Sequence, residues 1–467
     1  MLALSLGRGA QAMGGRVLAP CRQDIRGLST DSRSLRKGQA FLALRGERFD
    51  GHAYLGQALG QGAAALVAER FSPALIQRAR RQGRGLVQVA DSLAGLQALA
   101  ADQRQIWGGP VAAITGSNGK TGTKDALAHL LGLKGPVLAT GGNFNNHVGL
   151  PLTLLSLERG HKSAALEMGM SHAGELALLS RLARPDVAVV TNVGIAHLGH
   201  FKSRAALAAA KAELVQGLRS GAAAALNGDD PRVRAMAGLK PGLRILLYGR
   251  GPQCALRLSQ AKDRGAGGLK GLLLLDHPLL GKARARLALK RGGRPGAGSA
   301  LAALAAGLWM GLDLRAMAAR LEGWEPPARW RLQAEPLGRL AATALLDCYN
   351  ASPDSMAAAF EYLALSAPKA PRLAALGDML ELGPSAPKLH RACGRAARRS
   401  GIWALAALGP MAEETCRGFG PNSAAFPAEG HAAAAAWIAE RLAPGAWVLV
   451  KGSRGMRMER VAESLRG

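Results

Sequence analysis

The chain is predicted to be an α/β protein of three domains, and three observations predict it. Residues 111–124 read VAAITGSNGKTGTK: an apolar run enters a glycine-rich turn and a Lys-Thr pair follows. That is the sequence form of a strand, a phosphate-binding loop and a helix. From this point short apolar runs alternate with helical stretches, and the same rhythm returns beyond residue 340. At 467 residues the chain exceeds what one hydrophobic core organises. The expected units are 1–105, 106–323 and 324–467.

In the first unit, residues 40–44 and 65–68 read as short strands and 93–106 as a helical link. The stretch 30–54, TDSRSLRKGQAFLALRGERFDGHAY, is rich in turn formers and charge, which suits a binding edge. In the central unit 124–133 reads as a helix. Residues 164–167 and 187–191 are apolar runs ending in polar residues. Such runs read as buried parallel strands, with chemistry expected just past their carboxyl ends. An Ala-rich helix is expected over 204–218, strands over 222–226 and 245–248, and a helix over 299–308. Residues 251–294 carry ten Lys/Arg against two Asp, with strands expected at 272–275 and 285–289. The third unit begins near Trp324, between Gly323 and the pair Pro326 and Pro327. Its strands are expected at 340–347, 373–376, 403–408 and 447–450, with helices at 354–365 and 388–398. The strand ends carry DCYNASPDS (347–355), GDMLELG (377–383) and KGSRG (451–455).

Net charge is +28, which raises nucleic-acid binding as a function. The charge is spread along the chain, aromatics make up only 4% and do not interleave with it, and no zinc-finger spacing occurs. An Arg-rich solvated surface and anionic small substrates are therefore expected, without a nucleic-acid partner. The five cysteines lie far apart with no C-x-x-C pair, which argues against a disulfide framework or structural zinc and fits a reducing cytoplasm. The first residues are too short and glycine-broken an apolar run for a signal peptide. No run has the length and apolarity for membrane insertion.

Gly116 and Gly119 let backbone N–H groups converge on phosphate oxygens, and the following helix N-terminus adds partial positive charge. Lys120 can reach the β- and γ-phosphates, and the Thr121 hydroxyl can join a Mg²⁺ shell. Ile114 stands where the eight-residue loop pattern has glycine, so the loop is the shorter G-x-x-G-K-T. Glu167 ends the run AALE and is either a Mg²⁺ carboxylate or a turn carboxylate. His197, in TNVGIAHLGH, is either a site residue or a structural histidine. Lys211 by itself reads as a snorkelling surface lysine on an Ala-rich helix.

Together these motifs resemble the Mur ligases over nearly the whole chain. The resemblance rests on TDSR at 30–33, DGH at 50–52, ITGSNGKTGTK, GNFNNHVGLPLTLL from Gly142, LEMGMSHAGE, TNVGIAHL and AAKAE. It continues through LNGDDP from Leu226, DCYNASPDSM, LGDMLELG and KGSRGMRME. GNFNNHVG, DCYNASPDSM and GDMLELG favour the family member that adds D-alanyl-D-alanine to UDP-N-acetylmuramoyl-tripeptide over those that add single amino acids.

The resemblance implies a small α/β UDP-sugar-binding domain, a central P-loop-type ATPase domain and a Rossmann-like C-terminal domain. It implies ATP and Mg²⁺ as cofactors, UDP-N-acetylmuramoyl-tripeptide and D-alanyl-D-alanine as partners, a monomeric cytoplasmic ligase, and a role in peptidoglycan synthesis, cell shape and division. Residue by residue it carries ATP contacts to Gly116, Ser117, Asn118, Gly119, Lys120, Thr121, Thr123, Arg331, Asp347 and Asn350. UDP-substrate contacts fall on Ser32, Arg33, Asp50, His52, Asn143, Asn145 and Asn146. Metal ligation falls on Thr121, Glu167, His197 and Lys211, the last as a carbamate. Lys120, His197 and Lys211 are the catalytic set, and Lys451, Ser453 and Arg454 serve the acceptor side. The implied chemistry activates the tripeptide carboxylate as an acyl phosphate, which the amine of D-alanyl-D-alanine attacks. Positioning, electrostatic stabilisation and exclusion of water carry such a reaction. Arg45 and Arg48 read equally as contacts for a third-residue carboxylate or as solvated charges, which leaves diaminopimelate and lysine both open at that residue.

Two departures from the family pattern stand out. Where the family has G-R-H-N-x-x-N-A-L-A-A, residues 293–303 read GRPGAGSALAA, so Pro295, Gly296 and Ser299 replace a His and two Asn on the adenine side. The family's Gly-Arg before the third domain is Trp330–Arg331. The rival expectation is a non-catalytic scaffold that binds nucleotide or UDP-sugar through a degenerate adenine site.

Overall fold

The computed structural model describes residues 5–466 apart from 22, 24, 47–48, 195–200, 202 and 328–329. His197 and Arg48 lie outside the described residues. Each of three sheets organises one stretch of the chain. The first holds β1 Arg16–Ala19, β2 Leu28–Ser29, β3 Ala40–Leu42, β4 Ala65–Ala68 and β5 Gly85–Gln88 in the order β1-β5-β4-β3-β2, with β1 antiparallel. The central sheet holds β6 Val111–Thr115, β7 Val137–Ala139, β8 Ser163–Glu167, β9 Val187–Val190, β10 Ala223–Asn227, β11 Arg244–Gly249, β12 Leu256–Asp263, β13 Leu269–His277 and β14 Gly281–Leu289. Its order is β14-β13-β12-β11-β10-β9-β6-β8-β7, parallel from β7 to β12 and antiparallel beyond. The third holds β15 Gln333–Leu337, β16 Ala342–Asp347, β17 Arg372–Gly377, β18 Ala404–Leu408, β19 Ser423–Phe426 and β20 Trp447–Lys451 in the order β15-β16-β20-β17-β18-β19.

Every residue of β6, β8 and β9 is buried, as strands covered on both faces require. Their side chains are mostly alanine and valine, so the flanking helices approach closely. The helix Gly293–Trp309 lies so near the helix Lys120–Leu131 that a Cβ on Gly122 would sit 2.8 Å from Ser299 Oγ. Side-chain caps fix several helix starts: the Ser203 hydroxyl accepts from Ala206 N at 3.1 Å, and Ser352 and Ser355 form a reciprocal capping box. The third unit docks on the central one through Arg294–Glu361 at 2.9 Å and through Ala266 N donating to Ser366 Oγ at 2.8 Å.

Several elements differ from the sequence expectation. The helix after the glycine-rich turn starts at Lys120, not residue 124, so the Lys-Thr pair lies in its first turn. The helix expected from 299 starts at Gly293. Pro295 falls in its first turn, where a missing N–H costs no intrahelical bond. The strand expected from 340 starts at Ala342, because Ala341 takes a left-handed conformation with φ 46°. Among the unexpected elements are β1, β5, β7, β12 and a helix over Leu6–Ala12 capped by Ser5.

Candidate active site

The link between β6 and its helix is the four-residue turn Gly116–Ser117–Asn118–Gly119. It lacks the leading glycine of the eight-residue P-loop, as Ile114 foretells. Gly116 has φ 148°, and a side chain there would run into Thr191 Oγ1. Gly119, at φ 82°, caps the helix. The residues just past β9 hold the turn. Ser117 N donates to Asn192 O at 3.0 Å and Asn118 N to Asn192 Oδ1 at 2.9 Å. The Asn118 carbonyl accepts from Thr191 Oγ1 at 2.6 Å and Asn192 Nδ2 at 2.9 Å, and Ser117 Oγ accepts from Gly194 N at 2.9 Å. Lys120 Nζ donates back to the Gly116 carbonyl at 2.8 Å. Burial pushes its pKa down and Arg331 pushes the same way, while the nearby Glu167 opposes them. An arriving anion would relieve this.

Glu167, buried at the end of β8, is the hub of the site. Its Oε2 accepts from the Thr121 hydroxyl at 2.8 Å and its Oε1 from Asn145 Nδ2 at 2.7 Å. Its backbone N–H donates to Thr140 Oγ1 at 2.9 Å, which fixes the strand end. Arg331 of the third unit donates from Nη2 to Thr121 Oγ1 at 3.1 Å, with its guanidinium 4.0 Å over the Tyr349 ring. Lys211 corrects the surface-lysine expectation: it is 2% exposed on the helix Arg204–Gln216. Burial, and secondarily the like charge of Lys120, push its pKa well below the ordinary lysine value, and no carboxylate offsets them among the described residues. Thr123 is also buried, and its hydroxyl has no partner among the described residues.

The Glu167 carboxylate and the Thr121 hydroxyl are oxygen groups, which suit a hard cation. Among the described residues no group of three or more His, Cys, Asp or Glu side chains converges as a metal site.

The residues expected at the UDP substrate do not form one cluster. In the first unit Ser32 is buried, and Arg33 pairs with Asp31 at 2.8 Å. Asp50 Oδ1 lies 2.6 Å from His52 Nδ1, while His52 Nε2 accepts from Glu69 N at 3.3 Å, so the ring proton sits on Nδ1. The backbone N–H and ring of His52 hold the Asp50 carboxyl below the usual range. Arg45 is engaged by Asp50 at 3.5 Å and Glu69 at 3.8 Å. Of the asparagines, Asn145 belongs to the Glu167 hub, whereas Asn146 Oδ1 accepts from Gly149 N at 2.8 Å at the start of the helix Gly149–Leu155. Asn143 lends its carbonyl to Asn145 N at 2.7 Å.

In the third unit the expected ATP residues Asp347 and Asn350 meet the expected acceptor residue Lys451. Its buried Nζ donates to Asp347 Oδ2 at 2.5 Å and to the Asn350 carbonyl at 2.8 Å. Ser453 Oγ accepts from Leu380 N at 2.9 Å, and the Arg454 guanidinium stacks 4.6 Å over the Trp330 ring. Sequence reasoning missed Thr140, Thr191, Asn192 and Tyr349. The usable signals were the position of Thr191 and Asn192 directly after VAVV and of Tyr349 between Asp347 and Asn350.

Three α/β units, with a strand–turn–helix phosphate-type turn in the middle one and an arginine of the next bonded to its first helical turn, define a multidomain nucleotide-dependent ligase. Sequence profiles agree in order along the chain: "Mur ligase family, catalytic domain" matches residues 24–104, "Mur ligase middle domain" 114–273 and "Mur ligase, glutamate ligase domain" 331–454. The chain belongs to the Mur ligase family. It is 34% identical to the UDP-N-acetylmuramoyl-tripeptide–D-alanyl-D-alanine ligase of Bacillus subtilis, covering 94% of this chain and 93% of that one. The enzyme of the same name from Escherichia coli is also 34% identical, over 94% and 93%. Among solved structures, MurF from Acinetobacter baumannii superposes with a TM-score of 0.89 at 29% identity, covering 100% of this chain and 99% of that one. MurF ligase from Thermotoga maritima in complex with ADP gives 0.82 at 28% identity, over 94% and 97%.

Proposed function

We propose that this chain joins D-alanyl-D-alanine to UDP-N-acetylmuramoyl-tripeptide with consumption of ATP, the reaction for which the Bacillus and Escherichia relatives are named. The observation that carries the reading is the chain of contacts Arg331–Thr121–Glu167 beside Lys120, which ties the third unit to the phosphate-type turn. The terminal carboxylate of the tripeptide attacks the γ-phosphorus of ATP. The bond to the bridging oxygen breaks and ADP leaves with its electron pair. The amine of D-alanyl-D-alanine then attacks the acyl carbon, releases a proton, and inorganic phosphate departs.

In this reading units 1–105, 106–323 and 324–467 take the UDP-sugar, the ATP and the amino compound in turn. The Ser117 and Asn118 amides are already given to Asn192, so the N-terminal amides of the helix that Gly119 caps and the Lys120 ammonium are the groups that receive the phosphates of a P-loop-type site. Arg331 adds positive charge where phosphoryl oxygens gather. Lys451, with Asp347 and Asn350, shapes the acceptor side next to Ser453 and Arg454. Thr121, Glu167 and Lys211 as a carbamate would hold Mg²⁺, which when bound supplies neutralisation of phosphate charge. The depressed pKa of Lys211 suits the carbamate. A neutral amine attacks CO₂, forms the N–C bond and gives up one proton, whereas an ammonium has no lone pair to do so. The chain acts as a cytoplasmic monomer in this reading. No helix among the described residues is long and apolar enough to cross a membrane.

Ser299 faces the phosphate-type turn, close to Gly119 and Gly122. The side chains lost at 295 and 296 weaken hold on the base, whereas Ser299 keeps a hydroxyl at the turn, so a raised KM for ATP is expected with turnover retained. The test is mass-spectrometric detection of the pentapeptide product from UDP-N-acetylmuramoyl-tripeptide, D-alanyl-D-alanine and ATP. Binding of the UDP substrate without product at saturating ATP would overturn the reading in favour of a non-catalytic scaffold. Parallel turnover of the diaminopimelate and lysine tripeptides decides the third residue. Arg45 pairs loosely with Asp50 and Glu69 and is more than half exposed, so both readings of it stay open to that measurement.

A further inference from the structure

The central sheet ends in an antiparallel extension, β12 to β14, that the proposed reaction does not use. Its burial alternates residue by residue. Leu256, Leu258, Leu269, Leu273, Leu275, Ala285 and Leu287 face the core. The opposite face is solvent-facing, and the register places its side chains in rows. Arg257, Leu274 and Arg284 form one row, and Ser259, Leu272 and Arg286 the next. Lys262 and Lys270 pair in a third, and Asp276 and Lys282 in a fourth. Two half-exposed leucines thus lie side by side with arginines flanking them. The single acid of these rows, Asp276, is taken up by Lys282 at 3.1 Å. Among the described residues Arg257, Lys262, Lys270, Arg284 and Arg286 have no ion-pair partner.

The turn joining β13 and β14 carries Leu279, 65% exposed. This is a built tip. The His277 ring accepts from Leu279 N at 3.2 Å through Nδ1 and donates from Nε2 to the Ile245 carbonyl at 2.9 Å. What sets this leucine apart from the other exposed apolar side chains is its place at the tip of an unpaired basic sheet face, which an apolar, anionic partner surface matches.

We propose that the outer face of β12–β14 and its Leu279 tip dock the protein reversibly on a bilayer surface rich in anionic phospholipid. The basic rows lie over the headgroups, and Leu279 at the tip enters the acyl boundary. Nucleic acid fits less well, because no aromatic side chain stands on this face to stack a base. The nearest strand of this face, β12, is four strands from β6, about 19 Å at the usual strand spacing, and β14 is six, so the face can be altered without touching the phosphate-type turn.

The test is co-sedimentation of the full chain with vesicles of phosphatidylcholine alone or mixed with phosphatidylglycerol, at low and physiological salt, with ligase turnover measured on the same samples. Binding to the acidic vesicles only, weakened by salt, is expected. Arg284→Glu with Arg286→Glu should lower the partition coefficient at least tenfold, and Leu279→Ser about threefold, with turnover in vesicle-free solution unchanged. Arg395→Glu with Arg399→Glu, on the exposed side of the helix Ala386–Arg399, changes net charge equally and should retain binding. Equal loss in that control would overturn the proposal in favour of undirected attraction by net charge. So would absence of binding to acidic vesicles at low salt, equal binding to neutral ones, or retention of RNA at physiological salt by the parent chain alone with no vesicle binding.

Discussion

Lys211 and Lys451 are buried almost equally, at 2% and 1% exposure, yet their surroundings are opposite. Lys451, at the end of β20, finds the Asp347 carboxylate and the Asn350 carbonyl directly beside it. The parallel register that pairs Asp347 with Lys451 across β16 and β20 delivers that contact. Lys211, on a helix, meets no carboxylate among the described residues and has Lys120 as a like-charged neighbour. A buried ammonium with partners is a structural tie. A buried amine without them has its pKa pushed down, toward the neutral, nucleophilic form.

The largest expected effect separates the two by chemistry. Lys211→Ala should cost about 3 kcal/mol or more in transition-state stabilisation, read as a fall in kcat/KM. A short carboxylic acid should restore part of it by refilling the ligand position. Lys120→Ala should lose a comparable amount through the missing phosphate contact, and Lys451→Ala should lose activity through disorder of the acceptor side. Neither should respond to the acid. Wild-type turnover by Lys211→Ala would end the comparison by removing its chemical half.

Stability should reverse the order. Lys451→Met leaves the Asp347 carboxylate beside an apolar group and should cost about 3 kcal/mol in urea unfolding. Lys211→Met removes a desolvated amine with no carboxylate to strand, so its midpoint should match or exceed the parent. A larger loss at 211 than at 451 would show that Lys211 has a partner as strong as Asp347.

A smaller effect lies in pH. The folded-state pKa of Lys211 is depressed, while the unfolded chain keeps the ordinary value of 10.5. Between the two the unfolded state binds more protons, so the stability of the parent should rise with pH through that window. Lys211→Met should flatten that slope when urea midpoints are measured in CO₂-free buffers of increasing pH. An unchanged slope would assign the rise to other groups.

The smallest effect is at the rim of the Lys451 cluster. Trp330 has φ 58°, a left-handed conformation suited to glycine, and its ring carries the Arg454 guanidinium. Trp330→Gly should gain about 1 kcal/mol by relieving the backbone but lose the stacked cation and the ring's packing on the third unit's core, leaving a small net fall in the thermal midpoint. The visible change should be in KM for D-alanyl-D-alanine if Arg454 serves the acceptor. A shift confined to the KM for ATP would move Trp330 to the nucleotide side.

These contrasts also mark how far the sequence could be read. The central strands were legible because fully buried runs such as VAVV and SAALE need no context. The phosphate-type turn was legible because glycine at 116 and 119 answers a local demand. Lys211 was not, because the helix Arg204–Gln216 is built on alanine, which marks no inner face. Asn145 and Asn146 read as one motif, but adjacent residues in a turn point apart, one to Glu167 and the other to a helix start. The meeting of Asp347 with Lys451 depends on strands more than a hundred residues apart and became visible only with the sheet order.

The grip of Thr191, Asn192 and Gly194 on Ser117 and Asn118 has a thermodynamic consequence. A glycine-flanked turn left to itself samples many shapes, and a ligand that orders it loses affinity to that ordering. Here the shape is already set by a neighbouring strand end, so the entropy of fixing the turn is lost when the chain folds and not when a nucleotide arrives. Asn192, two strands' worth of sequence away, is in effect a residue of the turn.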